Sequence, residues 1–92
     1  MSRSRLQVYY SGRVQGVGFR YTVKSLSAGY EVTGGVRNLA DGRVELIAEG
    51  ERPELEDFLN GIQESGLGAL IRDRQLAWGD ARGEYRGFEI LA

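Results

Sequence analysis

The amino-acid sequence predicts an α/β (α+β) sandwich, with two helices packed on one face of a mostly antiparallel sheet. Three features support this fold class: short segments that alternate apolar and polar residues, two segments with apolar residues at helical spacing, and glycine-containing turns between them. The 92 residues suffice for one modest hydrophobic core. We therefore expect a single domain over residues 1–92, with residues 1–4 as a flexible N-terminus.

The first half of the chain is predicted to form a strand, a helix and a two-stranded hairpin. Leu6–Tyr10 alternates as a strand with one buried face, and Phe19–Tyr30 carries apolar residues at helical spacing. Residues 31–38 form the second strand. Asp41-Gly42 favours a tight turn. Residues 43–49 are therefore expected to form the third strand and to pair with the second strand as a hairpin. The third strand is expected to bury one face and expose the other, which carries Arg43, Glu45, Ile47 and Glu49.

The second half is predicted to form a helix and two strands. Pro53 suits the first turn of a helix, and the apolar stripe that follows ends near Gly66. Residues 70–78 form a fourth strand, and the charged run Arg72-Asp73-Arg74 is typical of an edge strand. Residues 87–90 form a short last strand. The resulting order, βαββαβ, is that of a ferredoxin-like fold.

Composition limits the chemistry that the chain can support. Without cysteine or histidine there is no disulfide, thiolate nucleophile, Ser-His-Asp triad or imidazole-ligated metal. The net charge of −1 provides no general attraction to nucleic acid, and no apolar run approaches the roughly 18 residues of a membrane span. We expect a cytoplasmic protein that binds neither nucleic acid nor membrane and needs no metal or cofactor.

A glycine-rich turn between the first strand and the first helix is the most informative segment. Residues 12–20 read Gly-Arg-Val-Gln-Gly-Val-Gly-Phe-Arg. The first N–H groups of a helix lack intrahelical partners, and such a turn binds phosphate and other anions. Arg20, in the first turn, adds a planar guanidinium suited to phosphate. The spacing does not match the dinucleotide or nucleotide-binding glycine motifs, and a purely structural turn is an equally good interpretation from spacing alone.

Asn38, at the end of the second strand, is the other residue of interest. Asparagine beside a turn commonly bonds the local backbone, and without a motif that is the favoured interpretation. The alternative is an amide that orients a water molecule, accepting with its carbonyl and donating with its NH₂ group.

Three motifs together resemble the acylphosphatase family. They are the nine-residue run at 12–20, Gly-Gly-Val-Arg-Asn at 34–38 and Asp-Gly-Arg-Val-Glu at 41–45. The resemblance covers nearly the whole chain. Glu31, Gly35 and Leu67 depart from residues common in the family, and all three fall at packing or turn positions.

The resemblance implies a ferredoxin-like fold and hydrolysis of the carboxyl-phosphate bond of acyl phosphates. It also implies a catalytic role for Arg20 and for Asn38. The expected partner is a small acyl phosphate, with phosphate or sulfate as simpler ligands of the loop and the protein acting as a monomer. By the same resemblance, phosphate is bound at Gln15, Gly16, Val17, Gly18, Phe19 and Arg20.

The amino-acid inventory agrees with this activity. An acyl phosphate expels a carboxylate, which needs little protonation, whereas a phosphate monoester expels a poor alkoxide. Two other interpretations stay open: an RNA-recognition domain, which shares the element order, and a module that only binds an anion.

Four tyrosines are expected in or beside the core: Tyr9, Tyr10, Tyr21 and Tyr30.

Overall fold

The computed structural model describes residues 3–92, which form five strands, two α-helices and a short 3₁₀ helix. The predicted βαββαβ order is confirmed, with an unpredicted 3₁₀ helix between the second α-helix and the fourth strand, and the short fifth strand lies at one edge of the sheet. The elements are β1 (Ser4–Gly12), α1 (Phe19–Ser27), β2 (Thr33–Asn38), β3 (Val44–Gly50), α2 (Arg52–Glu64), the 3₁₀ helix (Gly66–Leu70), β4 (Ile71–Asp80) and β5 (Phe88–Ile90).

The strands form one sheet in the order β4-β1-β3-β2-β5. All neighbours are antiparallel except β2 and β5, which are parallel. The predicted β2–β3 hairpin is confirmed, with Asn38 opposite Val44, and β4 is an edge strand as predicted. These directions place the carboxyl ends of β1 and β2 beside the amino ends of β3 and β4. Asn38 and the turn after Gly12 therefore lie at the same end of the sheet.

Most strand boundaries differ by one or two residues from the sequence prediction, and contacts in the structure account for the start of β2 and of β4. β2 begins at Thr33 because Glu31 lies in a turn, where its N–H donates to the Glu54 carboxylate at 2.8 Å. Leu70 ends the 3₁₀ helix and does not start β4. Ser4, the last residue of the predicted flexible segment, is paired with Gly50. Met1 and Ser2 lie outside the described residues.

The hydrophobic core lies between the sheet and the two helices. Leu6, Val8 and Tyr10 of β1 are fully buried there, as their alternation predicts. Tyr21 is an error of the prediction: its side chain is 71% exposed, because it lies on the face of α1 opposite buried Phe19. No helix in residues 3–92 is long and apolar enough to cross a bilayer.

The outer face of β3 is also buried, which corrects the expectation of a solvated face. All seven residues of the strand are buried, because β3 is central and neighbouring side chains cover it. Glu45 accepts hydrogen bonds from Arg37 Nε at 2.6 Å and Gln7 Nε2 at 2.8 Å. Charges on a central strand are thus compatible with burial when each is paired.

Glu49 is the most buried charge, with no exposed surface. Its carboxylate accepts from the backbone N–H groups of Arg82 and Gly83 at 2.8 and 2.9 Å, and from Arg5 at 3.4 Å. Burial alone would raise the pKa of Glu49, but the two backbone hydrogen bonds and Arg5 outweigh it, so the pKa is lowered. Glu49 therefore ties the segment after β4 to the centre of the sheet.

The Glu49→Gln substitution should destabilise the fold and weaken its pH dependence. A glutamine cannot satisfy all three donors, so we expect the free energy of unfolding at neutral pH to fall by about 1–3 kcal/mol. Because the folded pKa lies below the ordinary value of 4.5, the stabilisation is complete above that value and is lost as the pH falls through the folded pKa. Urea denaturation at a series of pH values measures both effects.

Glu89→Gln is the matched control, because Glu89 is exposed and forms no ion pair within residues 3–92. It should leave the acid dependence of stability close to that of the wild type. Equal acid slopes for the wild type and Glu49→Gln would contradict the proposed contribution of Glu49.

Candidate active site

The glycine loop, residues 13–18, is anchored at both ends. The Arg13 N–H donates to the Leu70 carbonyl at 2.9 Å, and Val14 is fully buried. At the other end, Phe19 is buried with its ring 5.2 Å from that of Tyr10. Burial raises the pKa of Tyr10, so this aromatic support stays uncharged. The loop is therefore held by its flanks while its centre stays exposed.

Free backbone donors line the centre of the loop. Gly16 and Gly18 have φ values of 75° and 76°, a left-handed conformation that favours glycine. Gly18 is the N-cap of α1 and provides no side-chain cap. None of the N–H groups from Gln15 to Arg20 donates to another group of residues 3–92. Successive unpaired N–H groups at the positive end of a helix form an anion-binding concavity.

Arg20 adds a full positive charge to these donors. Its side chain is half-buried and forms no ion pair or side-chain hydrogen bond within the described part of the chain. By contrast, Arg5, Arg37 and Arg43 are each paired with a carboxylate. Among residues 3–92, the Arg20 guanidinium therefore has no competing partner that would prevent it from binding an anion.

Asn38 presents an unpaired acceptor at the end of β2. Its Oδ1 atom is buried and has no hydrogen-bond partner in residues 3–92. Leaving a buried acceptor unpaired costs about 1–3 kcal/mol, so a water molecule or a ligand is its natural partner. Within the described residues, Asn38 Oδ1 does not form the local backbone bond that the isolated sequence favours, and the geometry suits the water-orienting alternative.

The side chain of Gln15 brings the loop and the hairpin together. Its Nε2 atom donates to the Leu39 carbonyl at 2.8 Å and to the Arg43 carbonyl at 2.9 Å. Both amide hydrogens are thereby used, so only the backbone N–H of Gln15 is left for a ligand at the loop. Sequence reasoning missed these bonds, because they join residues 24 and 28 positions apart and no spacing pattern marks them.

The turn contacted by Gln15 contains hydrogen bonds of its own. The Asp41 carboxylate accepts from the backbone N–H of Arg43 at 3.1 Å and from its Nε at 2.8 Å. The first of these bonds is the main reason that the pKa of Asp41 is lowered. The Arg43 guanidinium also lies 4.6 Å from the centre of the Tyr9 ring. Asn38 thus leads into a turn whose shape is defined by several contacts.

The two predicted catalytic residues, Arg20 and Asn38, lie at the same end of the sheet, and a short series of neighbouring residues connects them. Arg20 follows Phe19, which packs on Tyr10. Tyr10 is paired with Val44, which is opposite Asn38.

Within residues 3–92 there is no group of three or more acidic side chains that could hold a metal ion.

The comparisons with known proteins agree with this geometry. The acylphosphatase family model matches residues 6–90.

The chain belongs to the acylphosphatase family.

A curated acylphosphatase from Acidothermus cellulolyticus is 42% identical over 87 residues, covering 91% of this chain and 83% of that protein. The crystal structure of acylphosphatase from Bacillus subtilis superposes with a TM-score of 0.88 at 30% identity, covering 97% of this chain and 99% of that one. These relatives confirm the predicted ferredoxin-like fold and the acylphosphatase function class. A phosphate- and nucleotide-bound HypF structure has a TM-score of 0.84 at 28% identity over 98% of this chain, but over only 12% of its own length.

The RNA-recognition interpretation does not fit this member of the acylphosphatase family. The Gly16–Phe19 segment lies in the loop and the first helical residue, whereas an RNA motif would lie on a central strand. Phe19 is buried and cannot stack on a base. The outer face of the sheet instead carries paired charges, such as Arg37 with Glu45.

Proposed function

We propose that the protein hydrolyses acyl phosphates to a carboxylate and inorganic phosphate, without a metal ion, through Arg20, Asn38 and the backbone of the glycine loop. The single observation that carries this assignment concerns one end of the sheet, where a buried acceptor, Asn38 Oδ1, and the N–H donors of the loop all lack a partner among residues 3–92. The Asn38 oxygen suits a water molecule, and the loop N–H groups suit a phosphoryl group. Family membership supplies the substrate class.

In the proposed mechanism, the N–H groups of the loop and the Arg20 guanidinium hold the nonbridging phosphoryl oxygens. These donors stabilise the charge that those oxygens carry in an in-line transition state. Asn38 Oδ1 accepts a hydrogen bond from water and directs the water oxygen at phosphorus. The new water–phosphorus bond forms as the bond to the acyl oxygen breaks, and the carboxylate leaves with that electron pair.

The proton balance requires no histidine or cysteine. The attacking water gives its proton to the released phosphate or to solvent, and the carboxylate departs without protonation. A phosphate monoester would need its leaving alkoxide protonated, for which the site has no positioned acid. We therefore restrict the substrate class to acyl phosphates.

Phosphate release from benzoyl phosphate in the presence of EDTA tests this proposal. We expect turnover to stay within about twofold of the rate without EDTA, because the proposed donors are all protein groups. An alkyl phosphate monoester should not be hydrolysed. If no phosphate is released while inorganic phosphate still raises the melting temperature, the protein is an anion-binding module and the proposal is wrong.

The proposal includes a monomeric state and a cytoplasmic location, which stay predictions from the sequence. Sedimentation analysis at assay concentration tests the first, and cell fractionation tests the second.

A further inference from the structure

We propose that the Gln15 carboxamide is a positioning residue that sets the distance between the phosphate-binding loop and the water bound by Asn38. This inference rests on the proposed function. It differs from the role in phosphate binding that the resemblance implies, because both amide hydrogens of Gln15 are committed to the hairpin.

The two acceptors of Gln15 close the turn that follows Asn38. Leu39 and Arg43 already bond each other, since the Leu39 N–H donates to the Arg43 carbonyl at 2.8 Å. The Leu39 carbonyl also accepts from the Gly42 N–H at 3.2 Å. The Gln15 amide adds a second hydrogen bond to each carbonyl, which has two lone pairs. One side chain thus bonds both ends of the turn.

The two hydrogen bonds of the Gln15 side chain link the loop directly to the turn that follows Asn38, the residue proposed to hold the water. Leu39 is adjacent to Asn38 in the chain, so a shift of the Leu39 carbonyl moves the Asn38 backbone with it. Among residues 3–92, no other hydrogen bond joins the segment 13–18 to the β2–β3 turn. The loop is otherwise attached on its far side, through Arg13 and Leu70.

The consequence is a specific effect on catalysis. The loop on one side of Gln15 holds the phosphoryl group, and Asn38 on the other side holds the water. The hydrogen bonds of Gln15 therefore define the distance and angle at which the water attacks phosphorus. A displacement near 1 Å in such geometry can cost about 100-fold in rate. Phosphate affinity depends only on the loop side. Loss of Gln15 should therefore lower kcat and leave KM and the inhibition constant of phosphate nearly unchanged.

A double-mutant cycle between Gln15→Leu and Asn38→Ala tests this inference with benzoyl phosphate as the substrate. In the wild-type background we expect Gln15→Leu to lower kcat by about 10- to 100-fold. In the Asn38→Ala background the same change should lower kcat by less than about threefold, because no positioned water remains to be misaligned. Gln75→Leu, the same change at an exposed β4 position, is the matched control.

Three outcomes would overturn the inference. Equal losses of kcat in the two backgrounds would show that Gln15 acts independently of Asn38. A rise in KM and in the inhibition constant of phosphate, with kcat unchanged, would make Gln15 a phosphate ligand. If Gln15→Leu does not fold by circular dichroism, Gln15→Glu replaces it, since glutamate keeps the size and lacks both donors. Failure of both variants to fold would make the role structural.

The proposed function and this inference fail separately. An inactive wild-type protein contradicts the proposed function. If the wild-type protein is active and the effects of Gln15→Leu and Asn38→Ala on kcat are additive, only the proposed role of Gln15 is contradicted.

Discussion

The Arg20→Gln variant should lose about 10³-fold or more in kcat/KM for benzoyl phosphate. Removing one preorganised donor typically costs about 10²–10³-fold, and the proposed role of Arg20 combines a bidentate contact with a positive charge. Inhibition by inorganic phosphate should weaken in parallel, because in the proposed mechanism the guanidinium contacts the bound phosphoryl group. Steady-state kinetics and phosphate inhibition measure these two effects.

Stability provides an independent check on Arg20. Because its side chain forms no ion pair or hydrogen bond within residues 3–92, the free energy of unfolding should change by less than about 0.5 kcal/mol. Arg86→Gln is the matched control: Arg86 is exposed, forms no ion pair among the described residues and lies after β4. Wild-type turnover in Arg20→Gln, or an equal loss in Arg86→Gln, would remove Arg20 from the mechanism.

The Asn38→Ala variant should lower kcat by about 10²–10³-fold while KM changes by less than roughly threefold. In the proposed mechanism the loop and Arg20 hold the phosphoryl group, so its binding should survive, while the attacking water should lose its acceptor. This division between kcat and KM separates a water-positioning residue from a substrate-binding one.

The same variant should not destabilise the fold. Asn38 Oδ1 is buried without a partner in the described chain, so its removal should leave the free energy of unfolding unchanged or raise it by up to about 1 kcal/mol. A turn-capping asparagine would instead cost about 1 kcal/mol when lost. Asn60→Ala, at an exposed position of α2, is the control. Retained kcat, or a clear loss of stability, would favour the capping role.

Local patterns predicted most of the secondary structure. The alternation of Leu6, Val8 and Tyr10 and the Asp41-Gly42 turn identified β1 and the hairpin, because both signals come from neighbouring residues. The charged run at residues 72–74 correctly indicated the β4 edge. The failures occurred where a distant residue decides the outcome. Glu31 is held by Glu54 of α2, and the alternation of β3 gave no sign that both of its faces are covered.

The buried charges illustrate the same limit. The alternation of β3 predicts one exposed face, which carries Glu45 and Glu49. Their burial depends on Arg37, Gln7, Arg5 and the backbone after β4, which the fold brings from other segments. Arg37 lies eight positions from Glu45 across the hairpin, and the other groups are 33 to 44 positions away, so a pattern within seven residues carries no information about any of them.

The sequence by itself determined which groups are present and where the chain turns. It supplied a glycine turn opening a helix, one arginine in the first helical turn, an asparagine at a strand end, and no histidine or cysteine. Only the tertiary structure decided how these groups meet. Among residues 3–92, it left the Arg20 side chain unpaired and the buried Asn38 Oδ1 without a partner, and it directed the Gln15 amide to the hairpin. The physical reason is that these properties depend on solvent exclusion and on hydrogen bonds between segments that are distant in sequence.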